Sequence, residues 1–425
     1  MLISVKLNNC YIYNTDTEFT MRSDMRNKHF PNNVHHVNST NVLKSAIIMG
    51  PNNVGKTNFV KCMNVMKCIM LNQKRRLEPN LFNQNPVCEF SVVFLMNGAE
   101  YCLEVQYDAK NEEYLYEKFS KFTYDQHINK KELIVLKRNV RKKEYLCNNF
   151  DGTENNDVIA AMKVTARNNL LVYLLDTSQF TVLAEVKDII ASFAARIDIV
   201  DMNNIPIKKT IDMLKLSDAK QKKIVNFILN ADLYLEDFKY LSDDEVEVGI
   251  IPDTESLPQE NSLRVSNNFL EQLHLCSTYK GICVPSIIYD STGTKKIVCL
   301  ASYVIDALEN GRLLIVDELD NSLHFKLVRA IISMFNNELN ESAQLICTVH
   351  DVTLLDCQKL FRKEQIWFAH KDMDNAYLYS LSEFTAERDG VRDTSDLIEK
   401  YKRGVFGALP EPDLFESLLE VHNNG

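Results

Sequence analysis

The chain has 425 residues, of which 45% are hydrophobic and 25% charged, and its formal net charge is −10. The length predicts a globular protein of two or three units. No apolar run reaches the roughly 18 residues that span a bilayer, which argues against a membrane protein. The acidic balance excludes a broad electrostatic attraction to nucleic acid, so any DNA or RNA contact must be local.

The start of the chain and its cysteines predict a cytoplasmic location. Met1–Asn8 alternates apolar and polar residues, which predicts a strand and not a signal peptide. The eleven cysteines form no CxxC pair, a pattern typical of buried thiols in a reducing compartment. The basic runs Lys74–Arg76 and Lys137–Lys143 are typical of solvated surfaces, with phosphate contact as the alternative.

The strongest local motif is a phosphate-binding loop. Gly50–Thr57 satisfies GxxxxGK[ST], follows the strand-like run Ser45–Met49, and precedes apolar residues at helical spacing. Strand, loop and helix in this order predict a triphosphate site, in which Lys56 neutralises the β- and γ-phosphates and the Thr57 hydroxyl binds Mg²⁺. The nucleotide-contacting residues expected in this loop are Gly50, Asn52, Asn53, Val54, Gly55, Lys56, Thr57 and Asn58.

A second candidate segment supplies acidic residues. Leu313–Val316 is a short apolar run that ends in Asp317 and Glu318, as a buried parallel strand would. Asp317 is expected to hold Mg²⁺ through water, and Glu318 is expected to orient and activate the attacking water. About 260 residues separate this strand from the phosphate loop, which predicts a sizeable insertion between the two motifs.

Two further features flank the acidic strand. Before it, Asp290–Lys296 contains a Ser-Thr-Gly turn that opens a predicted helix, and helix N-termini bind anions. After it, the predicted strand Gln344–Val349 ends at His350. Each feature alone is common in proteins without ligands, but their order along the chain is not.

This ordered series resembles the ABC/SMC family of ATPases, with a Walker A loop at Gly50–Thr57, a signature at Ser291–Lys295, a Walker B strand at Leu313–Glu318, a D-loop near Asp320–His324 and a switch histidine at His350. The resemblance implies an α/β P-loop ATPase head with a helical insertion subdomain, bound to ATP and Mg²⁺. It also implies an ATP-sandwiched dimer or higher oligomer. Ser291 and the Gly293 amide would contact the γ-phosphate of the other subunit, and His350 that of its own.

The sequence departs from the family at several points. The signature is Ser-Thr-Gly-Thr in place of the Leu-Ser-Gly-Gly-Gln of transporters, and Gln84 is the one candidate for the Q-loop. Tyr11 or Tyr13 could stack on adenine, although core aromatic residues are the commoner case.

The chain divides by pattern into four segments. Residues 1–150 form the N-terminal lobe of the head, 151–260 a helical insert with an acidic linker, 261–384 the C-terminal lobe, and 385–425 a polar tail. The first lobe should contain strands at Phe90–Leu95, Tyr101–Val105 and Leu133–Leu136. In the insert, one helical face is expected at Val186, Ile189, Phe193 and Ile197, and another at Ile224, Phe227, Ile228 and Leu235.

The C-terminal region is similar to a narrower family. Arg362–Phe368, Leu378–Phe384 and Tyr401–Ala408, together with Asp317–His324, resemble the OLD-related bacterial ATPases of phage defence, such as RloA, AbiLi and AriA of the PARIS system. That resemblance implies an abortive-infection ATPase. It would sense a phage protein or DNA and control a separate nuclease or toxin effector, often of Toprim type.

Other functions stay open at this point. Asp372-Met-Asp374 is a DxD, which Toprim metal sites use, but its position favours a hairpin turn. A DNA repair or recombination ATPase of the SMC/RecF type is the main alternative. A transporter ATPase is a third, against which the altered signature and the insert both argue.

Overall fold

The computed structural model describes residues 1–24, 27–124, 130–216, 218–231, 234–242, 271–373, 375–392 and 395–409. The strands are β1 (Leu2–Asn8), β2 (Thr17–Thr20), β3 (Val34–Val37), β4 (Thr40–Leu43), β5 (Ser45–Met49), β6 (Val87–Met96), β7 (Ala99–Asp108), β8 (Glu113–Tyr124), β9 (Lys130–Asn139), β10 (Glu144–Cys147), β11 (Ile197–Asp201), β12 (Asp237–Tyr240), β13 (Leu275–Tyr279), β14 (Ile282–Pro285), β15 (Leu313–Asp317), β16 (Gln344–Val349), β17 (Ile366–Lys371) and β18 (Ala376–Ser380). The helices are α1 (Lys56–Met70), α2 (Asn156–Val164), α3 (Leu171–Leu174), α4 (Thr181–Ala195), α5 (Lys208–Leu216), α6 (Asp218–Leu229), α7 (Ser286–Tyr289), α8 (Thr292–Asn310), α9 (Phe325–Asn336) and α10 (Leu397–Lys402).

The chain forms two compact units. Unit I consists of Leu2–Ala194 and Thr348–Gly425, and unit II of Met1 with Ala195–Cys347. The four segments expected from the sequence remain a prediction. Among the described residues, no helix is both long enough and apolar enough to cross a membrane.

Unit I contains a seven-stranded antiparallel sheet in the order β10-β9-β8-β7-β6-β1-β2. Its strands alternate buried and partly buried residues, as a sheet packed on one face does. Aromatic rings fill the core behind it, including Phe94, which stacks on Phe193 of α4 at 4.2 Å between ring centroids. The strands expected around Phe90, Tyr101 and Leu133 are confirmed as parts of β6, β7 and β9.

A second group of strands in unit I positions the phosphate loop. β17 pairs in parallel with β5 and antiparallel with β18. All five residues of β5 are buried, which agrees with the continuous apolar run Ala46–Met49 that follows Ser45. The predicted helix after the loop is confirmed as α1, whose buried residues include Phe59, Met63, Met66 and Met70.

Unit II contains parallel strands. β15 pairs with β11 on one side and with β16 on the other, and each of its five residues is buried. β12, β13 and β14 form a separate three-stranded antiparallel sheet. Helices α5, α6 and α8 pack on it around a common core that includes Ile211, Ile224, Ile228, Phe238, Leu275 and Val298.

The structure corrects two expectations about the helical region and the tail. Ile197 does not share a helical face with Val186 and Phe193, because α4 ends at Ala195 and Ile197 opens β11. The spacing of apolar residues does not show where a helix ends when a short strand follows it directly.

The segment expected to be a polar tail contains α10, and beyond this helix the ring of Phe406 stacks on Phe368 of β17, with 4.9 Å between the ring centroids. Most of the acidic linker, 241–260, lies outside the described residues.

Candidate nucleotide-binding site

The phosphate loop joins β5 to α1 within unit I. Gly50 has φ +153°, and a Cβ there would lie 2.5 Å from the Ala369 carbonyl oxygen. Gly55 is the residue before α1, with φ +114°, and a Cβ there would lie 2.6 Å from Ile12 Cδ1. Both glycines are therefore required by backbone conformation and by close packing, quite apart from any ligand.

Lys56 is folded onto the loop that precedes it. Its side chain is buried, and its Nζ donates hydrogen bonds to the carbonyl oxygens of Gly50, at 2.6 Å, and Pro51, at 2.7 Å. A buried ammonium can form a short, strong hydrogen bond with a phosphate oxygen, because both groups are charged. Asn52, Asn53 and Thr57 of the same loop are exposed, so the loop presents both backbone and hydroxyl groups to solvent.

A tyrosine fixes the end of the loop. The Tyr13 hydroxyl donates to the Gly55 carbonyl oxygen at 3.0 Å, and burial raises the pKa of this phenol well above its usual value. Because the Tyr13 side chain is fully buried, the expectation that it stacks on adenine is wrong. Burial, followed by the charge of Glu78, raises the pKa of Tyr11 to about 12, and adenine stacking by Tyr11 remains a prediction.

In unit II, the two acidic residues follow the central strand. Asp317 is the last residue of β15 and is 4% exposed. Glu318 begins the following turn with φ +56°, a conformation that non-glycine residues seldom adopt. Its Oε2 accepts hydrogen bonds from Asn203 Nδ2 at 2.9 Å and from Asn321 Nδ2 at 3.1 Å. The turn and the two amides together hold the carboxylate at the carboxyl end of the parallel strands.

The signature segment also lies in unit II, where a serine and a glycine have structural roles. Ser291 caps α8, and its Oγ accepts a hydrogen bond from the Thr294 amide at 3.1 Å. A Cβ on Gly293 would lie 2.8 Å from the Ser322 carbonyl oxygen, which is too close for any other residue without movement of the backbone. The glycine therefore permits the first turn of α8 to approach the turn that follows Glu318.

Asp290, which precedes the signature serine, is buried within hydroxyl groups. Its Oδ2 accepts hydrogen bonds from Ser277 and Ser286, both at 2.6 Å, and its Oδ1 accepts one from Tyr279 at 2.8 Å. Ser277 lies within β13, Tyr279 is the last residue of β13, and Ser286 is the first residue of α7. The carboxylate therefore ties the start of the signature helix to the three-stranded sheet.

The predicted site residues are distributed between the two units. Unit I holds Gly50–Asn58 and His350, which is exposed directly after β16, and unit II holds Ser291, Gly293, Asp317 and Glu318. Their assignments to nucleotide, metal and catalysis remain predictions. Sequence analysis did not identify Asn203, and although its candidate segments include Asp290 and Asn321, it assigned no role to these two side chains. Their partners are set by strand register and turns, which the sequence does not show.

Magnesium fits the chemistry of the expected donors. Thr57 offers a hydroxyl oxygen and Asp317 a carboxylate, and Mg²⁺ prefers oxygen ligands, keeping several waters and phosphate oxygens. In the described ranges, no group of three or more His, Cys, Asp or Glu side chains is placed to hold a metal alone.

Asp372 of the DxD motif lies in the β17–β18 hairpin, as expected, and accepts a hydrogen bond from the Asn375 amide at 3.0 Å. Asp374 of the same motif is outside the described residues.

Comparisons with known proteins give one family and several structures. Residues 241–356 match the family described as "AAA domain, putative AbiEii toxin, Type IV TA system". Similar solved structures include an SMC head bound to the C-winged helix domain of ScpA, at 12% identity, 89% coverage of this chain, 97% of that chain and a TM-score of 0.46. Another is the SMC head domain from Thermotoga maritima, at 12% identity, 89% and 98% coverage and a TM-score of 0.42. No curated protein matches.

The fold class expected from the sequence is confirmed. The chain is a mixed α/β protein in which a strand, a glycine loop and a helix follow one another from Ser45 to Met70. The AAA-domain match includes the signature segment, the acidic strand and His350. The P-loop itself lies outside the matched range.

Proposed function

We propose that the chain is a cytoplasmic ATPase that binds ATP with Mg²⁺ and hydrolyses it to ADP and phosphate. The proposal rests on the phosphate loop, where a buried lysine ammonium and two glycines with positive φ stand between a buried strand and the start of a helix. Such loops bind phosphates through backbone amides and the helix N-terminus.

Each proposed residue has a role that follows from its chemistry. Lys56 binds the β- and γ-phosphates, and its positive charge stabilises the charge that develops in transfer. Thr57 and Asp317 would hold Mg²⁺, which neutralises phosphate charge when bound. Glu318 orients the attacking water and accepts its proton, and His350 contacts the γ-phosphate.

Lys56→Ala and Glu318→Gln test this function in different ways. The first variant should lose ATP binding, because it removes the charge within the loop. The second should bind ATP normally, and its rate of hydrolysis should fall by about 100-fold or more, because the amide cannot accept a proton. Binding is measured by calorimetry, and hydrolysis by phosphate release.

Matched controls separate these effects from general damage. Lys61→Ala changes an exposed lysine of the same helix, and Glu341→Gln changes an exposed acid of unit II, so both should behave as the wild type. Wild-type protein that neither binds nor hydrolyses ATP would refute the proposed activity. Normal ATP binding by Lys56→Ala would refute the assignment of the loop.

We also propose that ATP joins two heads, or more, and that this assembly controls an effector of phage defence. Two observations support the defence role. The matched family is described as a putative toxin of a type IV toxin–antitoxin system, and the C-terminal segments resemble OLD-related defence ATPases. A separate nuclease or toxin, of Toprim type in that resemblance, is the expected partner, and phage protein or DNA the expected trigger.

Co-purification with the products of neighbouring genes tests the defence role. A nuclease or toxin should associate with Glu318→Gln protein in one nucleotide state and be released in the other. Absence of any associated effector in both states would contradict control of a partner.

The DNA repair alternative has one structural observation in its favour. The side chains of Lys74–Arg76 and Arg141–Lys143 are exposed in unit I, where they can reach phosphates locally. DNA binding that weakens steeply with salt, together with DNA-stimulated hydrolysis and no effector, would favour an ATPase of the SMC/RecF type.

A further inference from the structure

Three polar side chains form a closed hydrogen-bonded triangle at the end of β15. Glu318 Oε2 accepts hydrogen bonds from Asn203 Nδ2 at 2.9 Å and Asn321 Nδ2 at 3.1 Å. Asn321 Nδ2 also donates to Asn203 Oδ1 at 2.7 Å. Two amides thus converge on one oxygen of the expected general base, and they also bind each other.

The backbone places Asn203 at this point. β11 pairs with β15 in parallel register, so Asp201 lies opposite Asp317, and the Met202 amide donates to the Asp317 carbonyl oxygen at 3.1 Å. The Asn203 amide donates to Asp201 Oδ1 at 2.9 Å, which turns the chain back beside the strand end. The position of Asn203 is therefore set by strand pairing.

Asn321 reaches the same carboxylate from the turn after β15. Its amide donates to the Glu318 carbonyl oxygen at 2.9 Å, which closes the turn and brings its side chain back to Glu318. Its own carbonyl oxygen accepts a hydrogen bond from Lys296 Nζ of α8 at 3.2 Å. The triangle is thus connected on one side to β11 and on the other to the signature helix.

We propose that Asn203 is a positioning residue for Glu318, and this rests on the proposed role of Glu318 in ATP hydrolysis. A carboxamide donates a hydrogen bond but does not titrate in the physiological range, so it fixes the direction of the carboxylate without competing for the proton. The two side-chain amides hold Oε2 of Glu318. They thereby fix the orientation of the whole carboxylate toward the attacking water. Asn321 is the second holder of the same oxygen.

Asn203→Ala tests this role. ATP hydrolysis should fall about tenfold in kcat, because a hydrogen bond to a charged group is lost, whereas the affinity for ATP should stay at the wild-type value. In Glu318→Gln protein, the added Asn203→Ala change should cause little further loss, because both act through one group. Asn204→Ala is the matched control, since that exposed neighbour makes no side-chain hydrogen bond in the described chain.

Asn203→Asp gives a readout that a purely structural role would not move. The variant keeps the size of the side chain but presents no N–H donor to Glu318 Oε2. Its kcat should therefore fall while its affinity for ATP stays at the wild-type value, and the added change should cause little further loss in Glu318→Gln protein, whereas damage to the fold would lower kcat in both backgrounds.

The outcomes separate this inference from the function on which it rests. If the wild type hydrolyses ATP and Glu318→Gln does so far more slowly, a wild-type kcat in Asn203→Ala and Asn203→Asp overturns the role of Asn203 alone. If kcat falls in both variants and falls by the same factor again in the Glu318→Gln background, the effect does not act through Glu318 and the positioning role is wrong. A wild type without ATPase activity overturns both proposals.

Discussion

At the scale of single residues, Tyr13 shows how the phosphate loop is held before any ligand arrives. Its buried hydroxyl donates to the carbonyl oxygen of Gly55, which also accepts the Phe59 amide at 2.9 Å. A ligand therefore meets a loop that is already ordered at its helical end, which reduces the entropy lost on binding.

Tyr13→Phe should lower the free energy of unfolding by about 1 kcal/mol, because one buried hydrogen bond is lost while the ring still fills its place. ATP affinity should fall a few-fold, because the loop must then be reordered on binding. Such a fall corresponds to about the same free energy, 1 kcal/mol. Urea unfolding and calorimetry measure the two quantities. Tyr11→Phe is the comparison, and equal behaviour of the two variants would show that the Gly55 contact is unimportant.

At the scale of elements, Glu100 shows how charge holds unit I together. This buried carboxylate on β7 accepts hydrogen bonds from Arg22 at 2.9 Å, from the Tyr124 hydroxyl at 2.7 Å and from Lys130. Burial alone would raise the pKa of Glu100, but the hydrogen bonds of Lys130 and Tyr124 and the charge of Arg22 lower it below its usual 4.5. Its partners connect β7 to β8, β9 and the segment after β2.

A lowered pKa in the folded state means that the ionised form of Glu100 stabilises the fold. This contribution is complete above pH 4.5 and is lost as the pH falls through the lower, folded pKa. Glu100→Gln should therefore lower the free energy of unfolding by about 1.5–3 kcal/mol at pH 7. The further decrease of this free energy on acidification should be smaller than in the wild type. Urea unfolding at pH 7 and pH 4 measures this, with exposed Glu154→Gln as control. If the free energy of unfolding changes as much between pH 7 and pH 4 in Glu100→Gln as in the wild type, the stabilising role of ionised Glu100 is wrong.

The elements also show what could be predicted from sequence. β5, α1, β15 and β16 were predictable because each is a contiguous apolar pattern with a motif at its end. β11 was not, because Ile197 continues the apolar period of α4 while the chain has already left the helix. Asn203, Asn321 and Asp290 were not predictable either, because their partners are brought to them by strand register and turns.

At the scale of the whole molecule, the proposed assembly depends on the signature segment. Ser291 is exposed at the start of α8 and is already used as the helix cap. A trans contact with nucleotide would therefore use a residue whose orientation the helix has fixed. This makes Ser291 a suitable place to block association without changing the loop that we propose binds ATP.

Ser291→Arg in the Glu318→Gln background should prevent the ATP-dependent increase in mass, because a large cation replaces a small hydroxyl at the contact. Light scattering with and without ATP and Mg²⁺ measures the mass. Since Ser291→Arg also removes a helix cap, worth about 1 kcal/mol, Ser291→Asn serves as a smaller variant that keeps the cap. The single variant Ser291→Arg, with Glu318 intact, should hydrolyse ATP more slowly than the wild type. A wild-type rate of hydrolysis in this variant would refute the ATP-sandwiched dimer.

The parallel pairing of β11 with β15 has a consequence for the modularity of unit II. The contact between Asn203 and Glu318 is anchored at both ends by strand register, so it does not depend on the length of the chain that connects them. Helices α5 and α6 lie within that connection. The loops of that connection can therefore change in length without moving Asn203 away from Glu318, as long as the core that α5 and α6 share with α8 is kept.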